Sequence, residues 1–273
     1  MPSSCSEKSI NYLITFAQKH EDFRMAELEA VLIMQGLNPD TCLRREAYRK
    51  DLPYLVASFP SEAAASAVCD RAILIKSIME LWGEASRHDE LAAAIQTLPD
   101  AFVNPHLSAD VSWSVTVDAF GMSMSLDRQE EVRAHYRHLA FQGPVRCKGP
   151  DQMFWAIEQH TPLPTGQVAP NSIPEKVYFG REVGRSLSRQ LVTRCDLKQR
   201  KYLGPTSMDN ELSLVMANMG LVRKGSVVLD PFVGTGSILV ACANFGAFCF
   251  GTDIDTRVLR GKCDNNIFSN FDQ

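Results

Sequence analysis

The 273-residue sequence has no apolar run approaching ~18 residues, the length a membrane-crossing helix needs, so no transmembrane segment is expected. Its opening stretch, MPSSCSEKSI, lacks the apolar centre of a secretory leader. None of the eight cysteines (Cys5, Cys42, Cys69, Cys147, Cys195, Cys242, Cys249, Cys263) belongs to a CxxC pair. That scatter argues against a disulfide framework and against a zinc site, and it suits reduced thiols; no bound metal is expected. There is no internal repeat and no low-complexity tract. A net charge of −4 carries no global signature of a nucleic-acid partner.

What is present is a globular composition, 45% apolar, long enough for one large domain or two ordinary ones. Residues 12–16 and 54–59 are short apolar runs that predict strands. Residues 23–35 predict a helix with Leu28, Val31 and Leu32 on one face and Gly36 at its end. Ser61 is placed to cap an Ala-rich helix through Arg71, with Glu62 in the first turn. Residues 73–81 fit strand or helix. The order is β-α-β-α, the mark of a small α/β domain. A short helix is expected over 88–98. Residues 112–120 alternate, with Trp113, Val115, Val117 and Ala119 on one side, which predicts a half-buried strand. A helix over 126–141 would turn Val132, Tyr136 and Leu139 inward. Strands are expected at 152–158 and 176–180, separated by a loop marked by five prolines and glycines.

Charge becomes local further on. Between Lys176 and Lys201 stand eight Lys or Arg against Glu182 and Asp196. Arg181, Arg185 and Arg189 would share one face if the segment were helical. Two readings stay open: a solvated linker face, or a stripe that contacts RNA phosphates. Residues 205–220 predict a helix started by Thr206, with Asp209 in the capping-box position, an apolar face of Met208, Leu212, Val215, Met216 and Met219, and Gly220 as its stop. Its polar N-terminal end suits an anion or carboxylate.

The most informative stretch is 227–255, VVLDPFVGTGSILVACANFGAFCFGTDID. It reads as a buried strand, a glycine turn, a helix closed by Gly246, a second strand and an acidic tip. That order is how parallel α/β sheets hold nucleotides at the carboxyl ends of their strands. Leu239 stands where a dinucleotide fingerprint needs its third glycine, and no Gly-Lys-Ser/Thr follows, so neither a dinucleotide nor a phosphate-loop reading fits. An acidic strand end beside a glycine turn suits a ligand with an ammonium group and a ribose, such as S-adenosylmethionine. Asp253 or Asp255 would then meet the ribose hydroxyls.

DPFVGTG, GTDID, the TSMD-L-MAN helix, YFGR at 178–181 and KSIMELWG at 76–83 resemble the THUMP-containing class I methyltransferases. Within that group they resemble the catalytic subunits of eukaryotic tRNA (guanine-10, N2) methyltransferases, from about Tyr12 to Asp255. The resemblance implies an α/β fold in three parts. These are an N-terminal region with a THUMP RNA-binding domain over 1–184, a basic linker over 185–204, and the start of a Rossmann-like methyltransferase domain over 205–273. It implies S-adenosylmethionine at Thr206, Asp230, Phe232, Gly234, Thr235, Gly236, Asp253 and Ile254. It implies tRNA as substrate, a small zinc-binding activator subunit as partner, and a cytoplasmic setting; the local excess of positive charge assigns the tRNA phosphates to Arg181, Arg185 and Arg189. The group also carries an Asp/Asn-Pro-Pro-Tyr motif that holds the target amine and stacks on the flipped base. This sequence has no Pro-Pro, so no catalytic residue is assigned and the chain is expected to be C-terminally truncated and inactive alone. The alternative is a non-catalytic tRNA-binding module; a downstream Asp/Asn-Pro-Pro-Tyr would separate the two.

Overall fold

The structure, a computed structural model, describes residues 10–163, 165, 167–169, 172–196, 198, 200–202, 207–261 and 267–271. It is α/β throughout. The strands are β1 (Ile10–Phe16), β2 (Tyr54–Phe59), β3 (Ile75–Ala85), β4 (Trp113–Ala119), β5 (Gln152–Gln159), β6 (Lys176–Arg185), β7 (Val227–Asp230) and β8 (Phe248–Gly251). The principal helices are α1 (Arg24–Met34), α2 (Glu62–Arg71), α3 (His88–Ile95), α4 (Leu126–Ala134), α5 (Ser188–Arg194), α6 (Asn210–Met219), α7 (Ser237–Asn244) and α8 (Thr256–Arg260). No helix among the described residues is long and apolar enough to cross a membrane.

Two compact units interleave along the chain. The first takes Met1–Thr15, Arg44–Ala65 and Ser77–Gly184; the second takes Phe16–Leu43, Ser66–Lys76 and Arg185–Gln273. The linear division drawn from the sequence at 184/185 and 204/205 does not follow these units, because α1 and the end of α2 pack with the C-terminal part.

The first unit is built on a six-stranded sheet of order β2-β1-β3-β6-β5-β4. β1 pairs antiparallel to β2, with Tyr12 opposite Ala57, and β5 pairs antiparallel to β6, with Ala156 opposite Phe179. β4 joins parallel to β5, with Val117 opposite Ala156. Alternation in β4 is realised: Val117 is buried, and Trp113 and Val115 pack against the same cluster. That cluster is aromatic, with Tyr136 stacked on Phe179 at 4.2 Å between ring centroids and Trp82 edge-on to Phe154 at 5.1 Å. α4 is shorter than expected. It stops at Ala134 and a 3-10 turn carries Tyr136 and Leu139 inward, ending on left-handed Ala140.

A polar cluster is buried beside this core. His88 Nε2 and His160 Nε2 lie 2.9 and 3.1 Å from the two oxygens of Glu158, and Arg128 donates to Glu158 Oε1 at 3.1 Å. Tyr136 and Ser172 hydroxyls meet the other ring nitrogens of His88 and His160 at 2.7 Å each. Burial raises the Glu158 carboxyl, and the two imidazoles with Arg128 outweigh it, so the net shift is downward.

In the second unit, Leu214, Val215 and Ala217 of α6, Ala241 and Cys242 of α7, and Ile73 and Leu74 share one core. Glu27 of α1, 1% exposed, accepts from the backbone N–H of Ile73 (2.9 Å) and Leu74 (2.8 Å) and from Asn218 Nδ2 (2.7 Å). Arg71 donates to Asn218 Oδ1 and to the Val222 carbonyl at 2.7 and 2.6 Å, and its guanidinium lies 3.4 Å from the centroid of Phe245. Both oxygens of Glu27 and both amide atoms of Asn218 have partners in this lock, as burial requires.

Several expectations are corrected in this unit. α6 starts at Asn210, not Pro205; its N-cap is Asp209, which accepts from Leu212 N at 2.9 Å. Thr206 and residues 203–205 lie outside the described residues. The buried face of α6 is Ser213, Leu214, Val215, Ala217 and Asn218, with Met216 and Met219 partly exposed. It is rotated from the apolar stripe because the lock draws Asn218 inward. Gly220 keeps an ordinary φ of −76°, and the left-handed stop is Leu221 at 56°. β7 and β8 form a two-stranded parallel sheet, Val227 opposite Phe248 and Leu229 opposite Phe250. Those four side chains are 59–73% exposed, so β7 is not the buried strand expected. The opposite face, Val228 and Cys249, packs toward α6 and α7.

Candidate functional site

The glycine turn between β7 and α7 is assembled by side chains that follow it in sequence. Gly234 and Gly236 have φ of 50° and 85°, a region in which side chains with Cβ are strained. A Cβ at Gly234 would meet nothing within 4 Å, so the backbone there is open to a ligand. Asp253 Oδ2 accepts from Gly234 N at 2.9 Å, and Oδ1 accepts from Asp255 N at 2.9 Å. One carboxylate thus fixes both the turn and the acidic tip. Asp230 Oδ1 accepts from Phe232 N at 2.9 Å, while the Asp230 carbonyl accepts from Thr252 N and Val233 N donates to the Thr252 carbonyl. The ends of β7 and β8 are zipped by backbone, and both acids sit at the carboxyl ends of their strands.

Of the residues singled out for the cofactor, Asp230, Gly234, Thr235, Gly236 and Asp253 come together at this turn. Phe232 and Ile254 flank it, 85% and 100% exposed. Thr206 lies outside the described residues. Asp255, the alternative to Asp253, caps α8 through Arg257 N at 3.0 Å and pairs with the Arg257 guanidinium. Its carboxyl is held below the usual range, first by the Arg257 side chain and then by that backbone N–H.

Residues the sequence reading missed are tied to the turn. Asn270, 1% exposed, donates from Nδ2 to the carbonyls of Tyr202 (2.8 Å) and Thr235 (3.1 Å) and accepts from Tyr202 N (2.9 Å). The Ser207 and Thr235 hydroxyls are 3.0 Å apart. Arg200 Nη1 donates to Ser237 Oγ, in the first turn of α7, at 2.8 Å. Nothing in a polar tail or a run of basic residues flags Asn270 or Arg200.

A separate apolar cavity of about 660 Å³ lies against α7 and β8, lined by Leu239, Ala243, Cys249, Leu259, Ile267 and Phe271 among others. None of Asp230, Gly234 or Asp253 lines it. Its wall is mostly apolar and offers few of the hydrogen bonds a ribose needs, so the turn rather than this cavity is the candidate site.

The basic stripe is not one helix face. Arg181 is a β6 residue, 5% exposed, paired through Nε to Glu80 at 3.2 Å and through Nη1 to Glu62 at 3.2 Å. Arg185 ends β6 and Arg189 lies on α5; both are exposed. Helical spacing failed because strand β6 runs five residues beyond its expected end at Gly180.

The Tmrp11 THUMP N-terminal domain family matches residues 10–188. The chain belongs to that family. The RMKL-like methyltransferase domain matches residues 198–266, the segment that holds the glycine turn. The tRNA (guanine(10)-N(2))-methyltransferase TRMT11 of Homo sapiens is 35% identical over 253 residues, covering 92% of this chain and 52% of that protein. The tRNA (guanine(10)-N(2))-methyltransferase of Saccharomyces cerevisiae is 35% identical over 262 residues, covering 95% and 59%. The chain spans about half the length of these curated relatives. The solved structure of TrmN from Thermus thermophilus aligns at a TM-score of 0.47 and 17% identity, over 92% of this chain and 67% of that one.

Proposed function

We propose that this chain carries the tRNA-binding part and the S-adenosylmethionine-binding turn of a tRNA (guanine-10, N2) methyltransferase. The observation that carries the reading is the Asp253 carboxylate locking Gly234 N at the mouth of a turn whose two glycines are left-handed. The residues fit the cofactor: open backbone at Gly234, carboxylates at both strand ends, and a buried guanidinium nitrogen of Arg200 with no partner among the described residues. When bound, S-adenosylmethionine supplies a methyl group activated by its sulfonium. Asp253, already oriented by two backbone N–H groups, keeps lone pairs for the ribose hydroxyls. Asp230 offers a negative end of β7 to the ammonium. Gly234 and Gly236 let the backbone approach.

The family match over residues 10–188 supports assigning tRNA to that part of the chain. The reading includes the zinc-binding activator as partner and a cytoplasmic setting. Residues 1–273 contain no Asp/Asn-Pro-Pro-Tyr, and positioning of the target amine supplies much of such a rate enhancement. This chain alone is therefore expected to bind cofactor and tRNA and to transfer no methyl group. The test is calorimetry with S-adenosylmethionine on the chain and on Asp253→Ala, beside a labelled methyl-transfer assay with unmodified tRNA and the activator. Loss of tenfold or more in affinity and no turnover are expected. Unchanged affinity in Asp253→Ala sinks the site; robust turnover sinks the expectation that these residues alone transfer no methyl group.

A further inference from the structure

Arg200 is 6% exposed, yet no carboxylate among the described residues pairs with it. Its Nη1 donates to Ser237 Oγ at 2.8 Å, and its Nη2 reaches the Cys195 carbonyl at 3.5 Å. Its Nε is buried with no hydrogen-bond partner among the described residues. A buried charge left in this state is costly, and buried guanidinium groups ordinarily face an acid. Burial pushes the group below its usual value, which the nearby Cys195 and Asp196 only partly offset. The acid is missing for a second group as well. α7 begins at Ser237 with Gly236 as N-cap and no side-chain cap, so its first-turn N–H groups present the positive end of the helix without a counter-charge. Arg200 and that helix end meet at one residue, Ser237. The neighbouring Tyr202 is tied through Asn270 to Thr235, which keeps the 200–202 segment beside the glycine turn.

Two positive groups converge on the first turn of α7, and the glycine turn that leads into it also carries Asp230 and Asp253. A dianionic phosphate would meet those carboxylates as like charges. A zwitterionic amino-acid group suits both sides, its carboxylate toward the guanidinium and helix end, its ammonium toward the acids. We propose that Arg200 is the carboxylate-binding residue of the cofactor site, taking the α-carboxylate of the methionyl end of S-adenosylmethionine with the α7 N-terminus. This rests on the cofactor reading above and adds the residue that selects the amino-acid end.

The test varies ligand and protein together, reading affinity by calorimetry on the full chain. S-adenosylmethionine is compared with decarboxylated S-adenosylmethionine and with methylthioadenosine, which lacks the whole amino-acid end. The expected result is that the wild type prefers S-adenosylmethionine to its decarboxylated form by tenfold or more. In Arg200→Met that preference falls to about twofold, with methylthioadenosine affinity unchanged. Arg200→Lys, which keeps the charge, serves if the Met variant melts early, and it is expected to retain part of the preference. A wild type that binds methylthioadenosine but ignores the carboxylate overturns the Arg200 assignment alone. So does an equal weakening of all three ligands in the variants, the mark of a structural arginine. Millimolar inorganic phosphate displacing S-adenosylmethionine from the wild type, with that competition lost in Arg200→Met, assigns the anion site to phosphate and overturns it too. A wild type that binds none of the three overturns the cofactor reading and the Arg200 proposal together.

Discussion

At the scale of single residues, the structure separates arginines that the sequence groups. Arg181 holds Glu80, whose side chain is 6% exposed, in a buried pair and also meets the half-exposed Glu62. Removing the guanidinium leaves Glu80 as a buried charge with no ion-pair partner and only the Trp82 Nε1 hydrogen bond, which costs about 3–5 kcal/mol. Arg181→Ala is thus expected to lower the free energy of unfolding by about that amount in urea titration. Destabilisation under about 1 kcal/mol would show that the pair carries no such load. Counting charges along the chain could not reveal this, since a net excess of lysine and arginine says nothing about which of them a strand carries inside. The same blindness hid Arg200 and Asn270, whose roles come from partners 37 and 68 residues away. Asp230, Gly234, Gly236 and Asp253 were legible because strand, turn, helix and second strand follow one another within 29 residues.

At the scale of elements, local pattern served best where one face is buried and one is not. The alternation of β4 and the spacing of Leu28, Val31 and Leu32 on α1 each follow from a single buried side. It served worst at α6, where an internal asparagine is paired rather than exposed. The end of α6 also departs from the glycine rule. Leu221, 41% exposed, adopts φ 56° while Gly220 beside it does not use its freedom. A left-handed non-glycine residue costs roughly 1–2 kcal/mol, against which a glycine's greater chain entropy sets part of the gain. Leu221→Gly is expected to raise the urea midpoint by the equivalent of about 1 kcal/mol at an unchanged slope. A lowered midpoint would mean that the Leu221 side chain contributes more packing than its exposure implies.

At the scale of the whole molecule, the second unit is discontinuous in sequence. Glu27, Arg71, Ile73 and Leu74 close the core that α6 and α7 begin, through the carboxylate's three hydrogen bonds and the stacked guanidinium. A fragment of residues 185–273 lacks all four residues and exposes Leu214, Val215 and Asn218. It is expected to show no cooperative thermal transition by circular dichroism, whereas the full chain does. In the full chain, Glu27→Ala leaves the Ile73 and Leu74 N–H groups without their acceptor and takes one of the two acceptors of Asn218 Nδ2, and it is expected to destabilise by about 3 kcal/mol. Cooperative melting of the 185–273 fragment would contradict the interleaved description. Linear reading missed this because long-range polar pairing leaves no local periodicity.

The central claim is that the glycine turn closed by Asp253 holds S-adenosylmethionine. Its most direct test is ultraviolet cross-linking of methyl-labelled S-adenosylmethionine to the full chain, followed by proteolysis and mass spectrometry of the labelled peptide. The account predicts label within residues 227–255, with loss of labelling in Asp253→Ala. Label confined to the peptides that line the apolar cavity beyond that stretch, around Leu259 to Phe271, with Asp253→Ala labelled as strongly as the wild type, would contradict it.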